Sequence, residues 1–265
     1  MAVLFFSFKK QQVVVINNVE KKSAQLEINS TPEKNANDAI DVSASSGTVP
    51  QKIPILMYHY IRDYADARDP IGINLSVAPE TFLAQLDYLS ANNFQTVPLD
   101  YLQNPKAVDF RPIILTFDDG YEDAYLAAFP LLEKHNLSGM FYLIVSKIGT
   151  PGYLSWDEIR IMQKAGMQFG SHTMTHPNLV SLSDEKLNQE ITESKKIIEQ
   201  NLGENISSFC YPSGKYDARV VTAVKTAGYQ SAVTTKSGVA EIKGDQYLLP
   251  RLRVTNNLDI SKALK

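Results

Sequence analysis

The chain has 265 residues, and its 26 Lys and Arg against 29 Asp and Glu give a formal net charge of −3. This balance lacks the basic excess typical of nucleic-acid binding, so no nucleic-acid partner is expected. With 44% hydrophobic residues, the chain is able to bury a core, and its length suits one α/β barrel or two small domains. The single cysteine, Cys210, excludes an intramolecular disulfide and a CxxC metal site.

The first 50 residues differ in character from the rest of the chain. No aromatic residue lies between Phe8 and Tyr58, and polar residues dominate 11–49. Such a segment buries too little apolar surface to offset its ordering entropy. An apolar run over 2–8 precedes a Lys pair, which reverses the order of a secretory signal, and no run reaches the ~20 apolar residues of a membrane span. We expect a disordered tail or tether over 1–50 and one folded domain over 51–265.

From residue 53 onward, short apolar runs alternate with helical patterns. Strands are predicted over Ile53–Tyr58, Phe94–Leu99, Pro112–Phe117, Gly139–Val145, Met167–Gly170, Ser207–Tyr211, Tyr229–Thr234 and Tyr247–Val254. Helices are predicted over Pro79–Asn92, Ser155–Ala165, Ser183–Leu202 and Tyr216–Ala227. This alternation predicts an α/β fold with a mainly parallel sheet, open or closed into a barrel.

Chemically active side chains collect where these strands end. His59 follows the first strand, Asp118 and Asp119 follow the third, and His172 and His176 follow the fifth. Two adjacent carboxylates after a buried strand each need a cation or a metal. Two imidazoles and one aspartate form a three-ligand set with an open position, which suits zinc or cobalt better than calcium or magnesium.

Each signal has a plainer interpretation when taken alone. An Asp-Asp-Gly triplet is often a turn, and a histidine pair four residues apart is often a helix or loop surface. Together, each after an apolar strand, they favour a metal centre. The position of His59 suits a half-buried structural histidine and an acid–base group equally well. His135 is expected on the surface, and Cys210 in the core.

Two segments resemble the motifs of a known family. Thr116-Phe117-Asp118-Asp119-Gly120 and Ser171-His172-Thr173-Met174-Thr175-His176-Pro177 are similar to the first and second motifs of the polysaccharide deacetylases, the NodB homology or carbohydrate esterase family 4 domain. The resemblance covers roughly 53–254. It implies a distorted (β/α)7 barrel that removes acetyl groups from N-acetylated sugars in a metal-dependent hydrolysis. Asp119, His172 and His176 would hold the metal, Zn²⁺ first and Co²⁺ second, and Asp118 would be the catalytic base.

The third motif matches only in part. In Tyr211-Pro212-Ser213-Gly214 the resemblance implies that the backbone N–H of Ser213 stabilises the oxyanion. Tyr211, Pro212, Ser213 and Arg251 are expected to bind substrate. Many members carry an arginine two residues before the proline, where this chain has Cys210. Arg251 or Arg253 is the candidate for that missing cation.

The general acid also departs from the common pattern, since no histidine follows His176. The segment from Pro54 to His59 resembles the opening motif of a permuted branch that contains poly-N-acetylglucosamine deacetylases. His59 is therefore the candidate acid. Trp156-Asp157 and Asp63 are candidates for the residues that tune it.

We expect an exported or cell-surface, monomeric polysaccharide N-deacetylase, because the predicted tail suits a wall or matrix and a cytoplasmic enzyme would meet little polymer. Poly-β-1,6-N-acetylglucosamine, peptidoglycan glycan strands and chitin oligomers are the expected substrates, in that order. Two alternatives are an O-acetyl esterase of polysaccharides such as xylan, and a catalytically silent carbohydrate-binding domain.

Overall fold

The computed structural model describes residues 47–265, and most of the predicted tail lies outside the described residues. Within the described residues, Thr48 forms an antiparallel bridge with Val108, so contacts with the folded domain extend before residue 51. Among the described residues, no helix is both long and apolar enough to cross a bilayer.

The chain folds into a curled sheet of parallel strands with helices on its outer side. The strands are β1 (Lys52–Ile53), β2 (Ile55–Tyr58), β3 (Tyr60–Ile61), β4 (Ser76–Val77), β5 (Phe94–Thr96), β6 (Arg111–Phe117), β7 (Met140–Leu143), β8 (Gln168–Ser171), β9 (Ser208–Cys210), β10 (Ser231–Val233), β11 (Ala240–Glu241) and β12 (Leu252–Arg253). The helices are α1 (Pro70–Leu75), α2 (Pro79–Ala91), α3 (Phe129–Lys134), α4 (Trp156–Lys164), α5 (Asp184–Leu202), α6 (Ala218–Thr226) and α7 (Ile260–Ala263). A π-helical turn over Ala124–Ala128 leads into α3.

The main sheet runs in the order β10-β9-β8-β7-β6-β2-β12, and β5 pairs with the first half of β6. Every pairing within it is parallel. The predicted α/β fold with a distorted barrel of parallel strands is confirmed. Two short pairs, β1 with β11 and β3 with β4, lie outside the main sheet.

The segment before β12 links the two ends of this sheet. Leu249 pairs with Val233 of β10, whereas Leu252 and Arg253 pair with β2. The predicted strand over 247–254 is therefore not continuous, because Pro250 lacks the N–H that a ladder needs and the chain crosses here from one partner to the other. The crossing places Arg251 inside the curled sheet.

Alternation along β6 decides which side chains reach the interior. Ile113, Leu115 and Phe117 belong to the larger core cluster, together with residues of the surrounding helices, whereas Ile114 belongs to a second cluster with residues of β2, β7, β9 and β10. Thr116 and Asp118 continue the register of Ile114. They therefore stand at the carboxyl end of the interior, and both are buried.

The four predicted helices form within two residues of their expected ends. Ser155 and Glu158 make the expected capping box at the start of α4, with the Glu158 carboxylate accepting from the Ser155 N–H at 2.7 Å. Gly203 ends α5 with φ at +69°, a left-handed conformation that glycine adopts without a steric penalty. The helix α1 was not predicted.

Candidate active site

One cavity of about 490 Å³ opens at the carboxyl ends of the parallel strands. It is lined by His59, Ile71, Asn74, Leu75, Asp118, Asp119, His172, His176, Tyr211, Ser213, Thr235, Arg253 and Thr255. The predicted histidines and aspartates thus converge on one cavity, because the ends of parallel strands meet at one edge of the sheet.

Asp119, His172 and His176 form a compact group that fits a divalent cation. The Asp119 Oδ1 lies 3.4 Å from the His172 Nε2 and 3.7 Å from the His176 Nε2. One ligand atom from each residue lies within 4.8 Å of the others. Two imidazole nitrogens and a carboxylate oxygen, on one side of an open cavity, are a donor set typical of catalytic zinc.

The surroundings of His172 and His176 fix how their rings are presented. The His172 Nδ1 lies 2.8 Å from the Cys210 carbonyl oxygen. A carbonyl only accepts, so Nδ1 carries a proton, and Nε2 is the ring nitrogen that faces Asp119. The His176 N–H donates to the Thr173 Oγ1 at 2.9 Å, and both of these residues have left-handed φ angles, +62° and +71°. Such conformations in non-glycine residues cluster at functional sites.

A second group, Asp118, His172 and Cys210, is equally compact but fits a cation less well. Both carboxylate oxygens of Asp118 already accept from Arg251, and the Cys210 Sγ lies 3.4 Å from the same guanidinium. Burial raises the pKa of the Cys210 thiol, so it stays protonated. Arg251 occupies the place that a cation would need.

Asp118 is bound by Arg251 in a two-point pair. The two guanidinium nitrogens donate to the two carboxylate oxygens at 2.7 Å each. Arg251 also donates to the Thr116 Oγ1 at 2.9 Å and to the Thr234 carbonyl at 2.9 Å. Burial alone would raise the pKa of Asp118, but the charge and hydrogen bonds of Arg251 hold that pKa well below its usual range. Asp118 is therefore ionised throughout the neutral pH range.

His59 lies beside Asp118 and lines the same cavity. Its Nε2 is 3.8 Å from the Asp118 Oδ2, and its side chain is 12% exposed. Burial lowers the pKa of His59, and the negative charges of Asp118 and Asp119 oppose that shift. A partly buried imidazole that faces both the cavity and a carboxylate is able to hold a proton and to give it up there.

The residues predicted to bind substrate divide into two groups. Tyr211 and Ser213 line the cavity, and Ser213 has a φ of +53°. Pro212 is buried and is not among the residues that line the cavity. Arg251 is 0% exposed and stands behind Asp118, so its expected contact with substrate is not possible in this structure. It instead supplies the cation predicted for Asp118, while Arg253 faces the cavity.

The candidates for tuning His59 do not reach it. Trp156 packs against the core, Asp157 pairs with Arg160 at 2.9 Å, and Asp63 is exposed. None of them lines the cavity. His135, expected on the surface, is partly buried and contacts Asp87 at 2.9 Å.

Sequence reasoning missed the wall of the cavity that α1 forms. Ile71, Asn74 and Leu75 line it. The signal was an aspartate followed by a proline, Asp69-Pro70, which is a typical N-cap and first helical residue. Six residues are too few to show a helical period, so the segment looked like a loop.

A curled parallel sheet with an Asp-Asp pair and two histidines at its carboxyl edge defines a NodB-type deacetylase domain. The family model described as Polysaccharide deacetylase matches residues 106–232. A protein of Bacillus subtilis (strain 168), YxkH, whose name places it among the polysaccharide deacetylases, is 31% identical over 210 residues, which are 78% of this chain and 72% of that protein. This chain belongs to the polysaccharide deacetylase family, whose members are hydrolases that act on amide bonds.

Two further proteins are similar over most of the folded region. The poly-beta-1,6-N-acetyl-D-glucosamine N-deacetylase of Staphylococcus epidermidis is 25% identical over 227 residues, covering 76% of this chain and 78% of that protein. The structure of the Streptococcus pyogenes deacetylase PplD in complex with acetate superposes with a TM-score of 0.75 and 29% identity, covering 81% of this chain and 97% of that one.

Proposed function

We propose that this chain is a metal-dependent hydrolase that removes N-acetyl groups from N-acetylglucosamine-containing polysaccharide. The observation that carries the proposal is the convergence of Asp118, Asp119, His172, His176 and His59 on one cavity. Poly-β-1,6-N-acetylglucosamine is the first candidate polymer, because the S. epidermidis relative is named for it. Peptidoglycan strands and chitin oligomers follow.

Asp119, His172 and His176 would hold the cation, with Zn²⁺ preferred and Co²⁺ as the alternative. Their nitrogen and oxygen donors lie close together beside open space, which supports this assignment. A bound cation of this kind polarises the acetamide carbonyl and lowers the pKa of water.

The remaining roles belong to the chain's own side chains. Asp118, kept ionised by Arg251, accepts the proton of the attacking water. His59, which lines the same cavity as Asp118, donates a proton to the leaving amine nitrogen. The backbone N–H of Ser213 donates to the developing oxyanion, and Tyr211 contributes to the wall that holds the sugar.

The proposal includes an exported or cell-surface location and a monomeric state. The named substrate of the S. epidermidis relative is a polymer, and an enzyme must meet such a polymer where it accumulates. The predicted tether over 1–50 suits a surface-held catalytic domain, and the complete cavity within one chain requires no second copy.

The test is acetate release from β-1,6 and β-1,4 N-acetylglucosamine oligomers. Protein treated with a chelator to remove bound metal is assayed before and after addition of Zn²⁺ or Co²⁺, with Asp118→Asn protein in parallel. Metal-restored release that the variant lacks supports the proposal, and the two linkages rank the substrates. Release from an O-acetylated xylan alone would replace the amidase with the esterase alternative.

A further inference from the structure

The helix α1 contributes three residues to the cavity wall. Ile71, Asn74 and Leu75 line the cavity, and their spacing of i, i+3 and i+4 puts them on one helix face. None of them belongs to a strand end, where the proposed catalytic groups lie. This wall, the α1 face, is therefore separate from the reacting groups.

The α1 face carries a large apolar side chain that is mostly exposed. Ile71 is 71% exposed, the largest value for a bulky hydrophobic residue in the part of the chain that the structure describes. Isolated exposed hydrophobic residues are ordinary on protein surfaces. Here, however, the residue shares a cavity with aspartates and histidines and stands next to the exposed amide of Asn74.

The helix is held firmly enough to act as a wall. Asp69 caps it by accepting from the Gly72 N–H at 2.8 Å, and the Tyr64 hydroxyl donates to the other Asp69 oxygen at 2.9 Å. Ser76 donates to the Gly72 carbonyl at 2.8 Å. A Cβ on Gly72 would lie 2.2 Å from the Asp69 carboxylate and 2.6 Å from the Tyr64 ring. Only glycine at position 72 therefore allows α1 to pack this closely against Asp69 and Tyr64.

The support also connects α1 to β3, the strand that directly follows His59. Arg62 lies over the ring of Tyr60 at 3.5 Å and over that of Tyr64 at 4.4 Å, and its Nε donates to the Ser76 Oγ at 3.2 Å. Tyr60 directly follows His59, and it pairs with Ser76 through β3 and β4. The α1 face is thereby fixed in position relative to the proposed acid.

We infer that the α1 face is a sugar-binding surface that contacts the glycan through the apolar side of a pyranose ring on Ile71 and a hydroxyl or acetamido group on Asn74. Pyranose rings offer C–H groups that pack on an aliphatic side chain, and an exposed amide both donates and accepts hydrogen bonds. The inference rests on the proposed function for its substrate class. It assigns polymer binding to residues that lie outside the family motifs.

The test compares Ile71→Ser and Asn74→Ala with the wild-type protein on two substrates. One is an N-acetylglucosamine tetramer, and the other is 4-nitrophenyl acetate, which has no sugar ring. Ile161→Ser is the matched control, since Ile161 is 48% exposed on α4 and does not line the cavity. Binding of the tetramer is measured separately by calorimetry, so that binding and turnover are read independently.

For the tetramer we expect KM to rise about three- to tenfold in Ile71→Ser, with kcat changed less than about twofold, because a ground-state apolar contact is lost. For 4-nitrophenyl acetate the rise in KM should be several-fold smaller than for the tetramer in both variants, and Ile161→Ser should match the wild type on both substrates. An unchanged KM and Kd for the tetramer in both variants would overturn the inference. An equal loss on both substrates would also overturn it, because α1 would then shape the whole site.

The same data separate this inference from the proposed function. A wild-type protein that binds the tetramer without releasing acetate, and binds it more weakly after Ile71→Ser, would retain the sugar-binding surface and reject the N-deacetylase. A wild-type protein that neither binds nor cleaves the tetramer would reject both.

Discussion

Arg251 and Asp118, 133 residues apart in the sequence, form two parallel hydrogen bonds of 2.7 Å inside the sheet. A buried, ionised carboxylate without this partner would strongly destabilise the folded protein. Arg251→Gln should therefore lower the free energy of unfolding by about 3–5 kcal/mol at neutral pH. In the same variant we expect less acetate release per folded protein, because Asp118 is the proposed base. Arg253→Gln, two residues further along the chain and facing the cavity, is the control for stability.

The pH dependence of this pair has a defined sign. Burial alone would raise the pKa of Asp118, and Arg251 holds it below its unfolded value, so the stabilisation is present above about pH 4 and is lost as the pH falls toward the folded value. Thermal unfolding of the wild type and Arg251→Gln should differ most near neutral pH and converge in acid. A constant difference across that range would contradict the ion pair as its cause.

The division between base and metal ligands predicts opposite effects of two substitutions. Asp118→Asn should keep the bound metal and reduce acetate release by about 10²–10⁴-fold, because only the proton acceptor is removed. His176→Ala should lower the metal content, because one of three ligands is lost. Elemental analysis after dialysis, combined with the activity assay, distinguishes the two. Full activity in either variant would refute the assigned roles.

The role of His59 predicts a dependence on the leaving group. An amine must be protonated before it departs, whereas an alcohol from an ester leaves more readily. His59→Ala should therefore reduce cleavage of an N-acetyl substrate by about 10²–10⁴-fold and of an O-acetyl substrate much less. Equal losses on both substrates would show that His59 positions Asp118, 3.8 Å away, rather than acting as the acid.

Asp123 carries a partly buried carboxylate that is poorly compensated. Its Oδ2 accepts from the Ile61 N–H at 3.1 Å, while its buried Oδ1 has no hydrogen-bond partner among the described residues. Burial raises the pKa of Asp123 to about 6. Folded protein therefore binds this proton more tightly, and stability is lost as the pH rises from about 4 through 6.

Asp123→Asn should accordingly stabilise the protein by about 1–2 kcal/mol at neutral pH, because the charge is removed and an acceptor for Ile61 remains. The gain should disappear near pH 4. Chemical denaturation at the two pH values measures it, with Glu122→Gln as a control for the loss of one negative charge. A stabilisation that persists in acid would have another origin.

The start of the ordered domain gives a truncation series. Removal of 1–46 should leave folding and activity unchanged, since every described contact is retained. Removal of 1–50 also deletes the Thr48 bridge to Val108, and we expect a melting temperature a few degrees lower, since a loss of about 1 kcal/mol shifts it by that much. A large fall on removal of 1–46 would show that the predicted tether contributes to stability.

Strand ends were predictable because they follow from local pattern. An apolar run that stops at a polar residue defined the positions of His59, Asp118 and His172, and parallel pairing brings such ends together. The partner of Asp118 was not predictable in the same way. In a continuous strand, side chains alternate between the two faces, and this alternation predicts which ones point inward. The crossing at Pro250 interrupts the alternation, so the sequence does not show whether Arg251 or Arg253 points inward.

The cavity wall was out of reach for a different reason. Its helix has six residues, two of them β-branched and one a glycine, and it is stabilised by Tyr64, Asp69 and Ser76 rather than by its own propensity. Tertiary contacts of this kind leave no periodic trace in the sequence. The prediction of one continuous last strand was wrong for the same reason. Tertiary contacts pair its first part with β10 and its second part with β2.

The position of Arg251 in the segment that joins two strands of the sheet has a consequence for the charge of Asp118. Leu249 pairs with β10 and Leu252 pairs with β2, so the guanidinium reaches Asp118 only when this segment spans both strands. If the segment detaches while Asp118 stays buried, burial alone raises the pKa of the carboxyl. Docking of one short segment and ionisation of the proposed base are therefore coupled.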